Sequence, residues 1–326
     1  MKFSDPAYGE FSLEERVLLE ALRSGPVQRL KGISQYGTWQ FIMPSVKSSR
    51  FDHSLGVCFL LRKLGASLEE QLAGLVHDIS HTAFSHVIDY IYGKQDNQEH
   101  HEELFQHTLM SSEIPKIAEN GGIKANLLMN AEMFPLLEKS IPNLCADRLD
   151  YFFRDSVLIG VCRPEDIRMF MQHLIVKGGE ILVDDPIVAR KMALGFIECM
   201  KKFWGSPTQA ASYQILADAI KSALEAKIIS EKDFMLTDQG LYSKMKSSGK
   251  LDVTSKLDIL RPGFFAVNSP QDYDFFAKTK VRYIDPTVIQ NGEAKRLSRM
   301  DDEYEKEMVK FISSVSQGYY VKIFQG

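Results

Sequence analysis

Leu72-Ala73-Gly74-Leu75-Val76-His77-Asp78-Ile79 is an apolar helical run that ends on a histidine beside an aspartate. Burying a carboxylate at such a place is costly unless a cation or hydrogen bonds compensate it. A divalent ion supplies that compensation, and imidazole and carboxylate both suit it as ligands. Ser67 stands where it caps the start of the run, with Glu70 three residues on as in a capping box, so a helix is expected from about Leu68 to Ile79.

The same combination recurs on either side. His53 lies near the start of a helix expected from about Phe51 to Leu64, which carries no charge between Ser54 and Leu61 and so is buried on most sides. Asp147 sits in Asn143-Leu144-Cys145-Ala146-Asp147-Arg148, within a helix expected over 141 to 155 with Pro142 near its first turn. A lone His-Asp pair is far more often structural than chemical. Here five of the eight histidines fall between His77 and His101, alongside acids and in core-like helices.

Further helices are expected at 13–23, His86–Tyr92, Glu102–Met110, about 186–203 and about 208–227. Leu174 to Val183 reads as two short β-runs around Gly178-Gly179, a hairpin signal. After about residue 235 the pattern changes. Phe264–Val267, Lys280–Ile284 and Tyr319–Phe324 read as strands, and Asp301–Ser314 as a helix. The expected fold class is mainly α. A helical domain over 1–235 carries the chemistry, and a small α+β module covers 236–326.

The chain has 326 residues, 44% hydrophobic and 25% charged, an ordinary globular composition. Its net charge of −4 argues against a broad nucleic-acid-binding face. No uncharged apolar run approaches the roughly 18 residues that span a bilayer. The start, Met1-Lys2-Phe3-Ser4-Asp5-Pro6, has no apolar stretch typical of a signal peptide. Cys58, Cys145, Cys162 and Cys199 form no CxxC pair and read as buried, reduced thiols. A cytoplasmic location is the expectation.

His77 and His81 are four apart and would share a face if the helix persisted. His86 and Asp89 are three apart and can touch. In that pairing Asp89 would orient the imidazole and raise its pKa, as an acid needs. Asp147, Arg148, Tyr151 and Asp155 fall at roughly 0°, 100°, 40° and 80° around a helix, one sector. That face can offer a metal ligand, a guanidinium for phosphate, a phenol and an acceptor for a sugar hydroxyl. Equally, alternating Arg and Asp form many solvated faces.

His53, His77-Asp78 and Asp147 match the H…HD…D pattern of HD-domain phosphohydrolases. Gln28-Arg29-Leu30, Arg50-Phe51-Asp52-His53-Ser54-Leu55-Gly56-Val57, Leu75 through His86 and Asp147 through Asp155 resemble the deoxynucleoside triphosphate triphosphohydrolase branch, over residues 25 to about 220. The sterile-alpha-motif/HD triphosphohydrolase is its best-known member.

The resemblance implies an HD-domain helical core and a metal held by His53, His77, Asp78 and Asp147. The ion could be Mn, Fe, Ni, Zn or Mg. It implies His86 as the leaving-group acid or nucleophile-activating residue, supported by Asp89. His81 and His101 would contact phosphate or complete the acid–base set, with His101 favoured over the adjacent His100. By the same likeness Gln35 and Asp155 hold a sugar 3′-hydroxyl, Arg50, Arg148 and Tyr151 meet phosphate or sugar, and Tyr213 packs under the sugar.

Departures stand beside these matches. Tyr36 replaces a smaller aliphatic residue near the sugar, Leu216 replaces a lysine, and Ser80 and Thr82 replace glycines. No extra interaction domain is expected ahead of the HD core. The implied partner is a nucleotide, and relatives often form homo-oligomers. The leading expectation is a (deoxy)nucleoside triphosphate triphosphohydrolase. A nucleotidase or phosphodiesterase could use the same centre, since one fold hosts several activities. A nucleotide-binding sensor without turnover should have lost a ligand or an acid–base residue, and this chain has lost neither.

Overall fold

The central post of the fold is the helix Arg50–Lys63, buried on nearly every side as its uncharged stretch requires. Ser49 and Asp52 form a reciprocal capping box at its start. The helix Leu68–Val76 packs alongside it, and the helix Ala146–Leu158 packs against it as well. The computed structural model describes residues 1–93, 100–130 and 133–324.

The class is mainly helical, with three small sheets among the described residues. Lys2–Asp5 and Gly9–Ser12 form a hairpin. The expected hairpin closes as Leu174–Lys177 and Glu180–Val183, with Gly178 and Gly179 both at positive φ. It grows into a four-stranded sheet because Val183 pairs in parallel with Val288 of the strand Thr287–Gln290, which in turn pairs with Glu293–Arg296. The third sheet is antiparallel, with Tyr319–Phe324 between Phe265–Asn268 and Phe275–Ala277.

Residues beyond 235 are divided between two cores. Ile284, Val288, Tyr304 and Phe311 join the core around the central post. Met245, Leu257, Ala266 and Val321 join a second core on the helix Pro207–Glu225. Among the described residues no helix is long and apolar enough to cross a membrane. The four cysteines are buried and unpaired.

Some local expectations change for identifiable reasons. Ser67 accepts from the Glu70 N–H, but Glu70 does not return the bond, because its carboxylate accepts from Leu136 and Leu137 N–H instead. The helix expected from 141 opens only at Ala146. The backbone before it is committed elsewhere, since Pro142 O accepts from Asp285 and Asn143 O from Arg148. Lys280–Ile284 pairs with no strand. Its alternation is genuine but separates a cleft side, Lys280 and Arg282, from a core side, Val281, Tyr283 and Ile284.

Candidate metal centre

Three helix ends converge on one point. His53 comes from the first turn of Arg50–Lys63, His77 and Asp78 from the C-terminal end of Leu68–Val76, and Asp147 from the first turn of Ala146–Leu158. His53 Nε2 lies 2.9 Å from Asp147 Oδ1 and 3.8 Å from Asp78 Oδ2. His77 Nε2 lies 3.4 Å from Asp78 Oδ1 and 3.5 Å from Asp147 Oδ1. Ligand atoms about 2 Å from a single ion stand at roughly these mutual distances. His53 and Asp78 are almost fully buried, whereas His77 and Asp147 face the opening.

The ring nitrogens away from this point are tied down. His77 Nδ1 donates to Gly74 O at 2.7 Å, and His53 Nδ1 meets Asp150 Oδ2 at 2.7 Å. Each ring thus turns Nε2 inward, the arrangement in which imidazoles bind metal while a carboxylate or carbonyl orients them. Gly56 makes room behind His53, where a Cβ would run into the Asp150 carboxylate and the Arg154 guanidinium. Tyr8 and Arg154 also donate to Asp150, which fixes its position.

The residues present fit a divalent cation. His77 Nε2 is buried, sits between two carboxylates, and has no hydrogen-bond partner. Burial opposes a charge on His53, yet the bonds to Asp147 and Asp150 push its pKa up to about 10, so without metal a proton takes the cation's place. Burial alone would raise Asp78, but Arg50, His77 and His81 hold it well below the usual carboxylate range. A set of two imidazoles and two carboxylates matches the donors that such ions take.

His81, His86 and His101 gather beside this quartet, with ligand-capable atoms of all three within 4.8 Å of one another. His81 stacks on His101 at 4.0 Å between ring centroids, and its Nε2 lies 3.2 Å from Asp78 Oδ1. His100 turns away and stacks on Tyr92. His86 Nδ1 pairs with Asp89 Oδ2 at 3.1 Å, and Asp89 also accepts from the His100 N–H at 3.1 Å. The expected rise in the His86 pKa is not found: burial lowers it, with Arg50 adding to the effect, by more than Asp89 returns. Burial and the neighbouring His86 likewise take His101 down to about 3. The trio is therefore neutral near pH 7.

His77 and His81 do not share a helix face, because the helix ends at Val76. The chain then turns through Phe84 and Ser85, both at positive φ and both buried. Two successive non-glycine residues in this region carry strain that the surroundings must hold. Asp238 Oδ1 accepts from the Phe84 N–H at 2.7 Å, Phe234 O from the Ala83 N–H, and Ser34 O from Ser85 Oγ. Arg50 donates to Ser85 Oγ at 2.9 Å and to Asp78 Oδ2 at 2.8 Å, tying the turn to the quartet. Ser80 and Thr82 keep buried hydroxyls without hydrogen-bond partners.

The centre opens into a cleft of about 870 Å³. Gln35, Arg50, Arg148, Tyr151, Asp155 and Tyr213 all line it. Gln35 keeps a buried, unpartnered Oε1. Two of the expected substrate contacts are already engaged. Arg148 donates to Lys139 O at 3.0 Å and Asn143 O at 2.5 Å, so its fork holds the cleft wall. Asp155 accepts from Tyr36 Oη at 2.7 Å and Trp204 Nε1 at 2.5 Å. Leu216 is fully buried in the second core, which explains the absence of a charge there.

Several residues here went unnoticed in the sequence. Asp150 could have been suspected as a second acid three residues after Asp147. Lys139, Lys280 and Arg282 also line the cleft; the alternation over 280–284 set Lys280 and Arg282 on one side, but nothing local said that this side faces a cleft. Asp238 acts on Phe84 across 154 positions of chain, which no local spacing announces.

Residues 50–155 match the HD domain family. The chain is 36% identical over 326 residues to the uncharacterized protein YdhJ of Bacillus subtilis, covering all of both chains. It is 32% identical over 296 residues to the metal-dependent phosphohydrolase cns2 of Cordyceps militaris, covering 89% of this chain and 85% of that one. The mouse deoxynucleoside triphosphate triphosphohydrolase SAMHD1 is a more distant and partial match, 24% identical over 52% of this chain and 33% of its own length. Among solved structures, a phosphohydrolase from Bacteroides thetaiotaomicron has the same fold, with a TM-score of 0.76 at 18% identity over the full length of both chains. The chain belongs to the HD-domain family of metal-dependent phosphohydrolases.

Proposed function

We propose that the chain hydrolyses a phosphoester of a nucleotide, with a (deoxy)nucleoside triphosphate as substrate. The observation that supports this reading best is the quartet His53, His77, Asp78 and Asp147 standing against three neutral histidines at the mouth of one cleft. His53, His77, Asp78 and Asp147 would hold a divalent ion, which would supply Lewis acidity toward a phosphoryl oxygen and a more acidic water. Around it the protein's own groups do the rest. Arg50 holds Asp78 ionised and aimed. His81 and His101 offer N–H donors to phosphate oxygens. His86, neutral and oriented by Asp89, takes up the proton as the nucleophile is activated. In this reading residues 1–235 carry the chemistry, and residues 236–326 complete the cleft with Lys280 and Arg282.

A second reading has its own observation. Both terminal nitrogens of Arg148 are spent on backbone carbonyls, and its Nε alone is left without a partner. That leaves one fewer guanidinium for a long phosphate chain and favours a nucleotidase or phosphodiesterase.

A metal-supplemented screen of nucleoside mono-, di- and triphosphates and cyclic nucleotides, with Asp78→Ala as control, separates these readings. Tripolyphosphate as product supports the first, and orthophosphate the second. Tight nucleotide binding with no turnover under any metal would overturn both.

A further inference from the structure

The cleft wall away from the quartet is aromatic. Tyr36, Trp39, Phe203 and Trp204 line it, with Tyr36 edge-on to Phe203 at 5.1 Å and Trp39 against the same ring at 4.7 Å. Within this wall lies a carboxylate, Asp155, only 1% exposed. Each of its oxygens already has a donor from the wall itself, Tyr36 Oη at 2.7 Å and Trp204 Nε1 at 2.5 Å. With the carboxylate 1% exposed, these two donors cover it, and a ligand hydroxyl reaches Asp155 when one of them moves aside.

Tyr36 is poorly placed to move. It is 3% exposed. The next residue, Gly37, has φ +55, and a Cβ there would strike the Tyr213 hydroxyl and Phe84 O. Two residues before Tyr36, the Ser34 N–H is held by Asp238 Oδ2 at 2.8 Å. The backbone that carries the phenol is therefore pinned on both sides.

We propose that Tyr36 determines specificity: by bonding to Asp155 it withholds that acceptor from the ligand, so the enzyme does not read a sugar hydroxyl there. This rests on the reading of the substrate as a nucleotide. The physical consequence is tolerance. A buried acceptor left open for a hydroxyl discriminates strongly against analogues that lack it, because the acceptor is then stranded. An acceptor satisfied by the protein discriminates little. At Asp155 the enzyme accordingly tolerates nucleosides that lack the hydroxyl, and the phenol is the reason.

The test needs no turnover. Trp39 and Trp204 are the chain's only two tryptophans, so tryptophan fluorescence reports on this wall directly. Adenosine, 2′-deoxyadenosine and 2′,3′-dideoxyadenosine are titrated into wild type, Tyr36→Phe and Tyr36→Leu. Wild type is expected to bind all three within about twofold. Tyr36→Leu exposes an Asp155 oxygen and should favour adenosine over the dideoxy form by about tenfold, the size of one added hydrogen bond. Tyr36→Phe, which keeps the ring and so guards against a folding defect, should shift the same way. A wild type that already prefers adenosine tenfold, an unchanged ratio in both variants, or no quenching by any nucleoside overturns the proposal. Nucleotide hydrolysis is scored separately. Cleavage with a strong hydroxyl preference sinks this inference alone, and the expected binding without any cleavage sinks the activity alone.

Discussion

His53 and Asp150 are joined through Nδ1 and Oδ2 at 2.7 Å, with side chains 1% and 0% exposed. The bond sets which nitrogen of His53 faces the metal position, and Asp150 is in turn held by Tyr8 and Arg154. On the proposed ligand set, metal affinity depends on a residue that is not itself a ligand. Asp150→Asn should weaken metal binding about ten- to hundredfold, the usual cost of losing such an orienting group. Competition with a chromophoric chelator measures it. Unchanged affinity would mean that the ring is oriented by something else.

Arg50 and Asp78 form a buried ion pair at 2.8 Å. Removing one partner of such a pair strands the other charge, at about 3–5 kcal/mol. Arg50→Ala should therefore lower the melting temperature, and most in protein stripped of metal, where only protons on the neighbouring histidines compensate Asp78. Melting curves with and without chelator test this. An equal drop in both states would argue that the guanidinium acts mainly through Ser85.

Asp238 touches none of the four proposed ligands, yet it holds Phe84 and Ser34. Asp238→Ala leaves those buried N–H groups unpaired and releases the strained turn, at about 2–4 kcal/mol. His81 and His86 sit on either side of that turn, so kcat should fall at least about tenfold with metal content unchanged. Metal analysis beside steady-state kinetics decides it. Loss of metal together with activity would point to general unfolding instead.

Burial raises the Asp155 carboxyl to about 7, against the opposing bonds from Tyr36 and Trp204. Its ordinary value in the unfolded chain is about 3.9. Between these values the folded protein holds a proton that the unfolded chain has lost. Stability from this group is then full below about pH 4 and declines as pH rises toward 7, by up to about 1.4 kcal/mol per unit. Asp155→Asn mimics the protonated form, since Tyr36 can reverse its role and accept from the amide. In melting temperatures measured against pH, the variant should lose this decline and exceed wild type at pH 8. Parallel profiles would remove Asp155 as the cause.

Much of the candidate site was legible because imidazoles and carboxylates set in apolar helices leave local marks. His77-Asp78 ends an apolar helix, His53 opens an uncharged one, and Asp147 stands beside buried residues. Each placement is costly without a cation, so each could be read from a few neighbouring positions. The helix Arg50–Lys63 and the Gly178-Gly179 hairpin were legible for the same reason, since periodicity and turn chemistry are short-range.

The sequence by itself thus determined a helical HD core, the four proposed ligands and the nearby histidines. Only the tertiary structure decided how the side chains are spent. Arg148 turns to carbonyls, Asp155 is closed by Tyr36 and Trp204, and burial keeps His86 neutral despite Asp89. Asp238 supports a turn 154 positions away, and Lys280 lines the cleft from the C-terminal segment. Hydrogen bonds and desolvation depend on which groups meet in space, and partners so distant along the chain leave no periodic trace in it.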